Sequence, residues 1–253
     1  VYKNALEGNI NIVTANKIAC SSDYDLYQEL KAICLKNNVK FLYETNVGAG
    51  LPVIGTINDL VHSGDTIQKI EATVSGSLNY IFNNYDGNNT FHDVVMEAKT
   101  EGYTEPDPRI DLSGVDVKRK ILILVREAGF KMEFDDIIVG DILPKACFDV
   151  ESVDDFFEVL KTDEATFKKM VNDAQAETKK LRVIAKYADG KATVDLQAVD
   201  STHPFYNLQG TDNTVALYTD RYVAQPMVIQ GAGAGAGVTA AGVFADIVRI
   251  ANY

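Results

Sequence analysis

The chain has 253 residues and carries 24 Lys and Arg against 36 Asp and Glu, a formal net charge of −12. That surplus of acid, with no basic stripe, excludes a nucleic-acid surface, because neutralising phosphates takes massed Lys and Arg. Three widely spaced cysteines without a CxxC and only three histidines argue against a disulfide framework or a zinc site and point to a reducing, cytoplasmic setting, while no apolar run approaches a membrane span and no signal pattern opens the chain.

Residues 2–8 read as the end of a helix, and residues 9–14 as a short buried strand that runs into Ala15, Asn16 and Lys17. Lys17 therefore falls at a strand's carboxyl end, where open α/β sheets hold ligands; a plain surface lysine is the alternative. Residues 23–37 place Leu26, Leu30, Ile33, Cys34 and Leu35 at helical spacing, and residues 38–43 form a second strand candidate. Strand, helix and strand in this order are half of a doubly wound dinucleotide-binding unit, without its opening strand, glycine turn and first helix. The loop 44–52 follows, with glycines at 48 and 50 and one carboxylate, Glu44. It reads either as an oxygen-rich cradle for a monovalent or hard cation or as a tight turn before a helix over 53–63.

A strand over 66–75 turns into a helix at 76–82, where Ser75, Ser77 and Asn79 either line a pocket or serve as caps. Thr90 opens another helix with His92 in its first turn, read as a solvated side chain. The stretch 101–120 is the densest in acid–base groups. Pro106 and Pro108 fix their own φ and push the residues before them out of the helical region, which puts Glu105 on a stiff, extended loop. Ser113, with Asp116 three residues on, reads as a helix start, and the helix over 115–127 reads as buried and closes at Ala128-Gly129. Asp116 and Lys120 are four apart on that helix and share a face. Charge on a buried helix is expensive unless it has partners or a purpose.

Beyond it come a short strand or turn at 135–143, amphipathic helices at 154–160 and 164–181, and a hairpin of 182–187 with 191–199 joined by Ala188-Asp189-Gly190. Strands at 213–219 and 227–230 complete a mixed or mainly antiparallel sheet. The run Gly231–Gly237 ahead of a terminal helix fits the dinucleotide fingerprint only weakly, since sixteen residues leave no room for the strand and ribose-binding acid that should follow. Two readings stay open: close approach of a ligand to bare backbone and helix amides, or tight packing of a small-residue helix.

Five ordered stretches, 13–17, 44–52, 75–80, 102–120 and Gly235 ahead of 238–242, resemble homoserine dehydrogenase over nearly the whole chain. The resemblance begins after the family's glycine-rich cofactor turn, so the chain is expected to be a fragment, inactive and weak in NAD(P) affinity by itself. It implies a division into 1–50, the remnant of a Rossmann-type cofactor domain; 51–225, an α+β catalytic and dimerisation domain; and 226–253, a glycine loop and helix returning to the cofactor side. It implies interconversion of L-homoserine and L-aspartate 4-semialdehyde with NAD or NADP, in threonine, methionine and isoleucine biosynthesis, by a homodimer with a fused aspartate kinase as a further partner. It assigns proton transfer to Lys120 and Lys17, substrate binding to Glu105, Asp116 and Asp111, and cofactor contact to Lys17, Gly102 and Gly235. It matches Glu44, Val47, Ala49 and Leu51 to a sodium-binding loop. Against this stands an amino-acid-binding or oligomerisation domain of the same fold without chemistry, which would need carboxylates but not two lysines at one reacting oxygen. A dehydrogenase for a related amino-acid aldehyde is the third reading.

Overall fold

The computed structural model describes residues 1–252. Helix α1 (Tyr2–Glu7) leads into strand β1 (Ile12–Val13), which pairs in parallel with β2 (Phe41–Leu42) across the short α2 (Ile18–Ser21) and the longer α3 (Tyr24–Asn37). Both strands are shorter than the six-residue stretches expected of them. The Asn11 carboxamide takes the Lys40 N–H at 2.7 Å, so a side chain replaces the backbone partner and the ladder starts only at Ile12. A 3₁₀ turn (Glu44–Asn46) and α4 (Val53–His62) then carry the chain into the main sheet.

That sheet gathers β3 (Ile67–Thr73), β4 (Ile138–Val139), β5 (Lys180–Ala188), β6 (Lys191–Val199), β7 (Asn213–Thr219) and β8 (Met227–Gly231) in the order β4-β6-β5-β3-β7-β8. Only the β4–β6 pairing is parallel, so the sheet is mixed as expected. Asp189 and Gly190 both take left-handed φ, 51° and 73°, the turn that matches the twist of a two-residue hairpin loop. Helices α5 (Gly76–Asn84), α6 (Phe91–Thr100), α7 (Pro108–Leu112), α8 (Val115–Glu127), α9 (Val153–Thr162) and α10 (Glu164–Ala176) stack on one side. Ile70 and Ala72 of β3, Val183 and Ala185 of β5 and Val215 and Leu217 of β7 form the core with Ile121 and Leu124 of α8. The last helix, α11 (Ala236–Asn252), packs instead on the 44–46 turn and β1.

Two boundaries differ from the sequence reading. Helix α10 stops at Ala176 rather than running to 181: Thr178 adopts φ 58°, Lys179 N–H turns back to Ala174 O at 2.8 Å, and Lys180 already opens β5. Ser113 does not start α8. It closes α7, a helix unforeseen behind Pro108, and the residue before α8 is Gly114 in the left-handed region at φ 70°. A side chain at 114 would also meet Ile142 Cδ1 at 3.0 Å, so glycine is needed there for both conformation and space.

Candidate active site

Helix α8 presents Asp116 in its first turn and Lys120 one turn later. Its core-facing side chains Val117, Ile121, Leu124 and Val125 are buried and anchor it beneath the sheet. Lys120 Nζ donates to Val74 O at 2.6 Å, at the carboxyl end of β3, and lies 2.8 Å from Asp116 Oδ2. Lys17, capping α2 just beyond β1, places its Nζ 3.1 Å from Asp116 Oδ1. One carboxylate therefore bridges two lysines that are 103 residues apart in sequence. The expectation of a charged pair sealed in a buried helix needs correcting here: Lys120 is 13% exposed but Asp116 is 52% exposed. The helix is buried from Ile121 to Glu127, and its first turn opens to solvent.

The electrostatics follow from this placement. Burial pushes the Lys120 amine below its ordinary range, with Lys17 acting in the same sense and Asp116 and Asp111 opposing. For Asp116, desolvation would raise the carboxyl, but Lys120 and Lys17 together hold it below the usual carboxylate range. The result is a lysine that gives up its proton more readily than a surface lysine, beside a carboxylate that stays ionised.

The loop between α6 and α8 closes the site from the other side. Asp107 caps α7 and pairs with Arg109, whose Nη1 reaches Val150 O at 2.6 Å. Asp111 Oδ2 accepts the Glu105 N–H at 2.8 Å and its Oδ1 accepts from Ser77 Oγ at 2.8 Å, with Ser75 Oγ 3.0 Å behind. Asp111 thus sets the backbone of the Glu105 loop, and the Glu105 carboxylate stays exposed with no hydrogen-bond partner among the described residues. Of the three polar residues before and within α5, Ser75 is its cap, Asn79 is a buried strut to Asp212 O at 2.7 Å, and Ser77 belongs to the site. His92 bonds Asp93 and stands edge-on to Phe157, away from these groups.

Gly102 and Gly235 adopt φ 75° and 119°, and at both, among the described residues other than the two adjacent ones, no atom lies within 4 Å of where a side chain would begin. Bare, open backbone ahead of α11 suits close approach of a flat or anionic group. The 44–51 loop behaves differently. Glu44 spends its carboxylate on the first turn of α4, accepting from Ile54 N at 2.6 Å and Gly55 N at 2.9 Å, and its Oε2 also lies 3.1 Å from Arg249 Nη1. Burial raises this carboxyl against those three donors. Leu51 O takes the Val53 N–H at 2.9 Å, leaving the carbonyls of Val47 and Ala49 without a hydrogen-bond donor among the described residues. A cation at this loop would find backbone oxygens but no free carboxylate, and a guanidinium next to the one carboxylate present. Of Glu44, Val47, Ala49 and Leu51, the groups left to face a cation are therefore main-chain oxygens, with the Glu44 carboxylate engaged elsewhere.

A cavity of about 620 Å³ lies at the other end of α5 between Asn83, Gln175, Lys180 and Gly210, and holds none of these groups. A shallower groove of about 490 Å³ runs along Ile110, Val115, Asp116 and Arg119. Of the Lys17–Asp116–Lys120 bridge this groove is lined by Asp116, and the chemistry of the bridge, not the size of a cavity, marks the site. Sequence reasoning missed Arg126 and Glu127. Glu127 is buried and accepts from Tyr27 Oη at 2.6 Å, Tyr43 Oη at 2.5 Å, Asn58 Nδ2 at 3.0 Å and Lys31 Nζ at 3.1 Å, tying α8 to α3, the residue just after β2, and α4. The signal was available: two adjacent charges ending an apolar run with no solvent-facing side.

The sequence model of the family described as homoserine dehydrogenase matches residues 52–248. The bifunctional aspartokinase/homoserine dehydrogenase 1, chloroplastic, of Zea mays is 43% identical over 254 residues, which cover 100% of this chain and 28% of that relative. This chain thus spans under a third of that relative's length. The homoserine dehydrogenase of Saccharomyces cerevisiae is 41% identical over 258 residues, covering 99% of this chain and 71% of the yeast protein. Among solved structures, a hyperthermophilic archaeal homoserine dehydrogenase mutant in complex with NADPH matches with a TM-score of 0.75 at 27% identity, covering 99% of this chain and 66% of the other. Among the described residues no helix is long and apolar enough to cross a membrane, and no cluster of three His, Cys, Asp or Glu is arranged to hold a metal.

Proposed function

The chain belongs to the homoserine dehydrogenase family, and from that premise we propose that it carries the substrate half of a centre that interconverts L-homoserine and L-aspartate 4-semialdehyde, a step toward threonine, methionine and isoleucine. The carrying observation is the bridge Lys17–Asp116–Lys120, with Lys120 Nζ pinned between a carbonyl and a carboxylate. An amino-acid-binding domain needs acceptors for an ammonium group, but it has no use for two lysines on one carboxylate.

A bound nicotinamide, NAD or NADP, would take the hydride in the oxidation direction; Lys17, Gly102 and Gly235 are the residues that would face it. Lys120, in its amine form, takes the proton of the substrate hydroxyl. Burial favours that form at a pH where a surface lysine is still an ammonium. In the reverse direction Lys120 returns the proton to the carbonyl oxygen, and Lys17 offers a second positive charge to the oxygen as it gains electron density. Glu105 and Asp116 hold the substrate ammonium. The exposed Glu105 carboxylate is free to do so, and each Asp116 oxygen keeps a lone pair beyond the one facing a lysine. Asp111 and Ser77 keep Glu105 in reach by fixing its loop.

The same reading takes the protein as a cytoplasmic homodimer paired through the 51–225 region, consistent with the free thiols of Cys20, Cys34 and Cys147. A fused aspartate kinase is carried over from the maize relative. The test is NADP reduction by the intact protein with homoserine, compared with serine, threonine and 4-hydroxybutyrate. Turnover confined to homoserine supports the proposal, and none with homoserine overturns it.

A further inference from the structure

We propose that Arg126 is a positioning residue for the site: it holds the segment 17–22 against α8 and so sets the distance from the Lys17 amine to Asp116. The kinetic part of this proposal rests on the function proposed above; its geometric part does not.

A four-residue helix such as α2 has little stability of its own, since a single turn scarcely offsets the cost of nucleation. The structure supplies that stability from α8. Asp116, Arg119 and Arg126 are three and ten residues apart, which puts them along one side of the helix. They meet the segment in four contacts: Asp116 with Lys17 Nζ at 3.1 Å, Arg119 Nη1 with Ser21 Oγ at 3.2 Å, and Arg126 Nη1 with Cys20 O at 3.0 Å and Ser22 O at 2.6 Å. The first two contacts involve partly exposed groups, whereas the Arg126 side chain is fully buried. Its remaining donors reach Met132 O at 3.1 and 2.9 Å and Glu133 Oε2 at 3.1 Å, and Glu133 in turn accepts the N–H of Tyr24 at the start of α3.

From Arg126 to Lys17 the hydrogen bonds are unbroken. Arg126 fixes Cys20 O and Ser22 O; the Cys20 and Ser21 amides donate to Lys17 O at 3.1 and 3.0 Å, and Ser21 Oγ donates to the same oxygen at 2.9 Å. The backbone that carries Lys17 is thus registered to the helix that carries Asp116 and Lys120 by a group that touches none of the three. Arg182 provides the contrast. It is equally buried and also bonded to backbone carbonyls, those of Phe82, Leu181, Phe205, Tyr206 and Leu208, but it ties β5 to the 205–208 loop, and none of its bonds involves a site residue.

The test compares Arg126→Met, Arg126→Lys and Arg182→Met in the intact protein. Three quantities are read: Tm, the kcat and KM for homoserine across pH, and the NMR signal of ¹³C-methylated Lys17, assigned with Lys17→Arg. A displacement of about 1 Å at a catalytic group costs on the order of a hundredfold in rate. Arg126→Met is therefore expected to lower kcat about 10- to 100-fold, with KM changed less than about threefold on the same reasoning. It should also move the Lys17 signal toward that of a solvated lysine. Arg126→Lys recovers part of both effects, and Arg182→Met lowers Tm while leaving both alone. An Arg126→Met protein with lowered Tm but unchanged kcat, pH profile and Lys17 signal overturns the proposal. If Arg126→Met does not fold, Arg126→Lys, which keeps the charge but loses the fork, decides by the same readouts. If the unaltered protein does not turn over homoserine, the proposed function falls and the Lys17 signal alone decides the positioning role.

Discussion

Replacing Lys120 by Met removes the proton acceptor while keeping most of the side chain's length and apolar volume. Two polar contacts disappear, to Val74 O at 2.6 Å and Asp116 Oδ2 at 2.8 Å. A positioned general base is worth about 10²- to 10⁴-fold in rate, which at about 1.36 kcal/mol per decade is about 2.7 to 5.4 kcal/mol of barrier. Stability should respond very differently. The folded protein holds this amine below its ordinary value of 10.5, so between the folded value and 10.5 the unfolded chain binds more protons. Stability then rises with pH over that window, and below it the buried ammonium is a net cost. Its removal returns that cost but leaves a carbonyl unpaired, at about 1–3 kcal/mol. With the two terms opposed, we expect a stability change within about 1–2 kcal/mol. Stopped-flow and steady-state NADPH formation with homoserine measure the first quantity, and urea unfolding from pH 6 to 10 the second. A Lys120→Met enzyme that retains wild-type kcat removes Lys120 from the mechanism. One that loses all activity only because it unfolds shows that its role is structural.

Other outcomes follow from the same geometry. Glu127→Ala strips the acceptor from two tyrosines, an asparagine and a lysine, and is expected to cost about 3–5 kcal/mol in urea unfolding; a loss below about 1 kcal/mol would show that the network is redundant. The Glu127 carboxyl is held below its ordinary 4.5, its four donors outweighing desolvation. Its stabilisation should therefore stand in full above that value and fade as the pH falls through the lower folded value, a slope that Glu127→Gln abolishes in acid-unfolding curves. Ser77→Ala removes one bond to Asp111, worth about 0.5–1.5 kcal/mol, and should raise the homoserine KM by up to about tenfold with kcat held; a kcat effect without a KM effect refutes the link from Ser77 to Glu105. Gly235→Val forces a branched residue to φ 119° where nothing crowds it, so NADP affinity should fall more than Tm in paired fluorescence titration and melting.

How much was legible beforehand is clearest residue by residue. The Asp-Gly turn, the left-handed exit after α8, and the helical pairing of Asp116 with Lys120 are local rules, set within four residues of chain, and they reappear in the structure. At Ser113 and at the end of α10 the sequence is ambiguous, because a serine ahead of an acidic residue and a run of charged residues satisfy helix rules equally well on either side of a break. The breaks lie in backbone conformations at Gly114 and Thr178 that the surrounding packing selects. For the 44–51 loop the residue pattern offered an oxygen-rich cradle, yet Arg249, some two hundred residues on, together with the start of α4, claims its carboxylate.

By itself, then, the order of residues determined most of the longer elements, which helix carries the paired charges, and through its five ordered stretches the family; the short α2 and α7 were not among them. Propensity, periodicity and turn chemistry act over a few residues, and a pattern of several such segments is specific. Only the tertiary structure decided that Lys17 meets Asp116, that Asp111 holds the Glu105 loop through its backbone, and that Arg126 pins α2 to α8. Those contacts join groups far apart in sequence or through main-chain atoms common to every residue, and what brings them together is the burial of the faces between them.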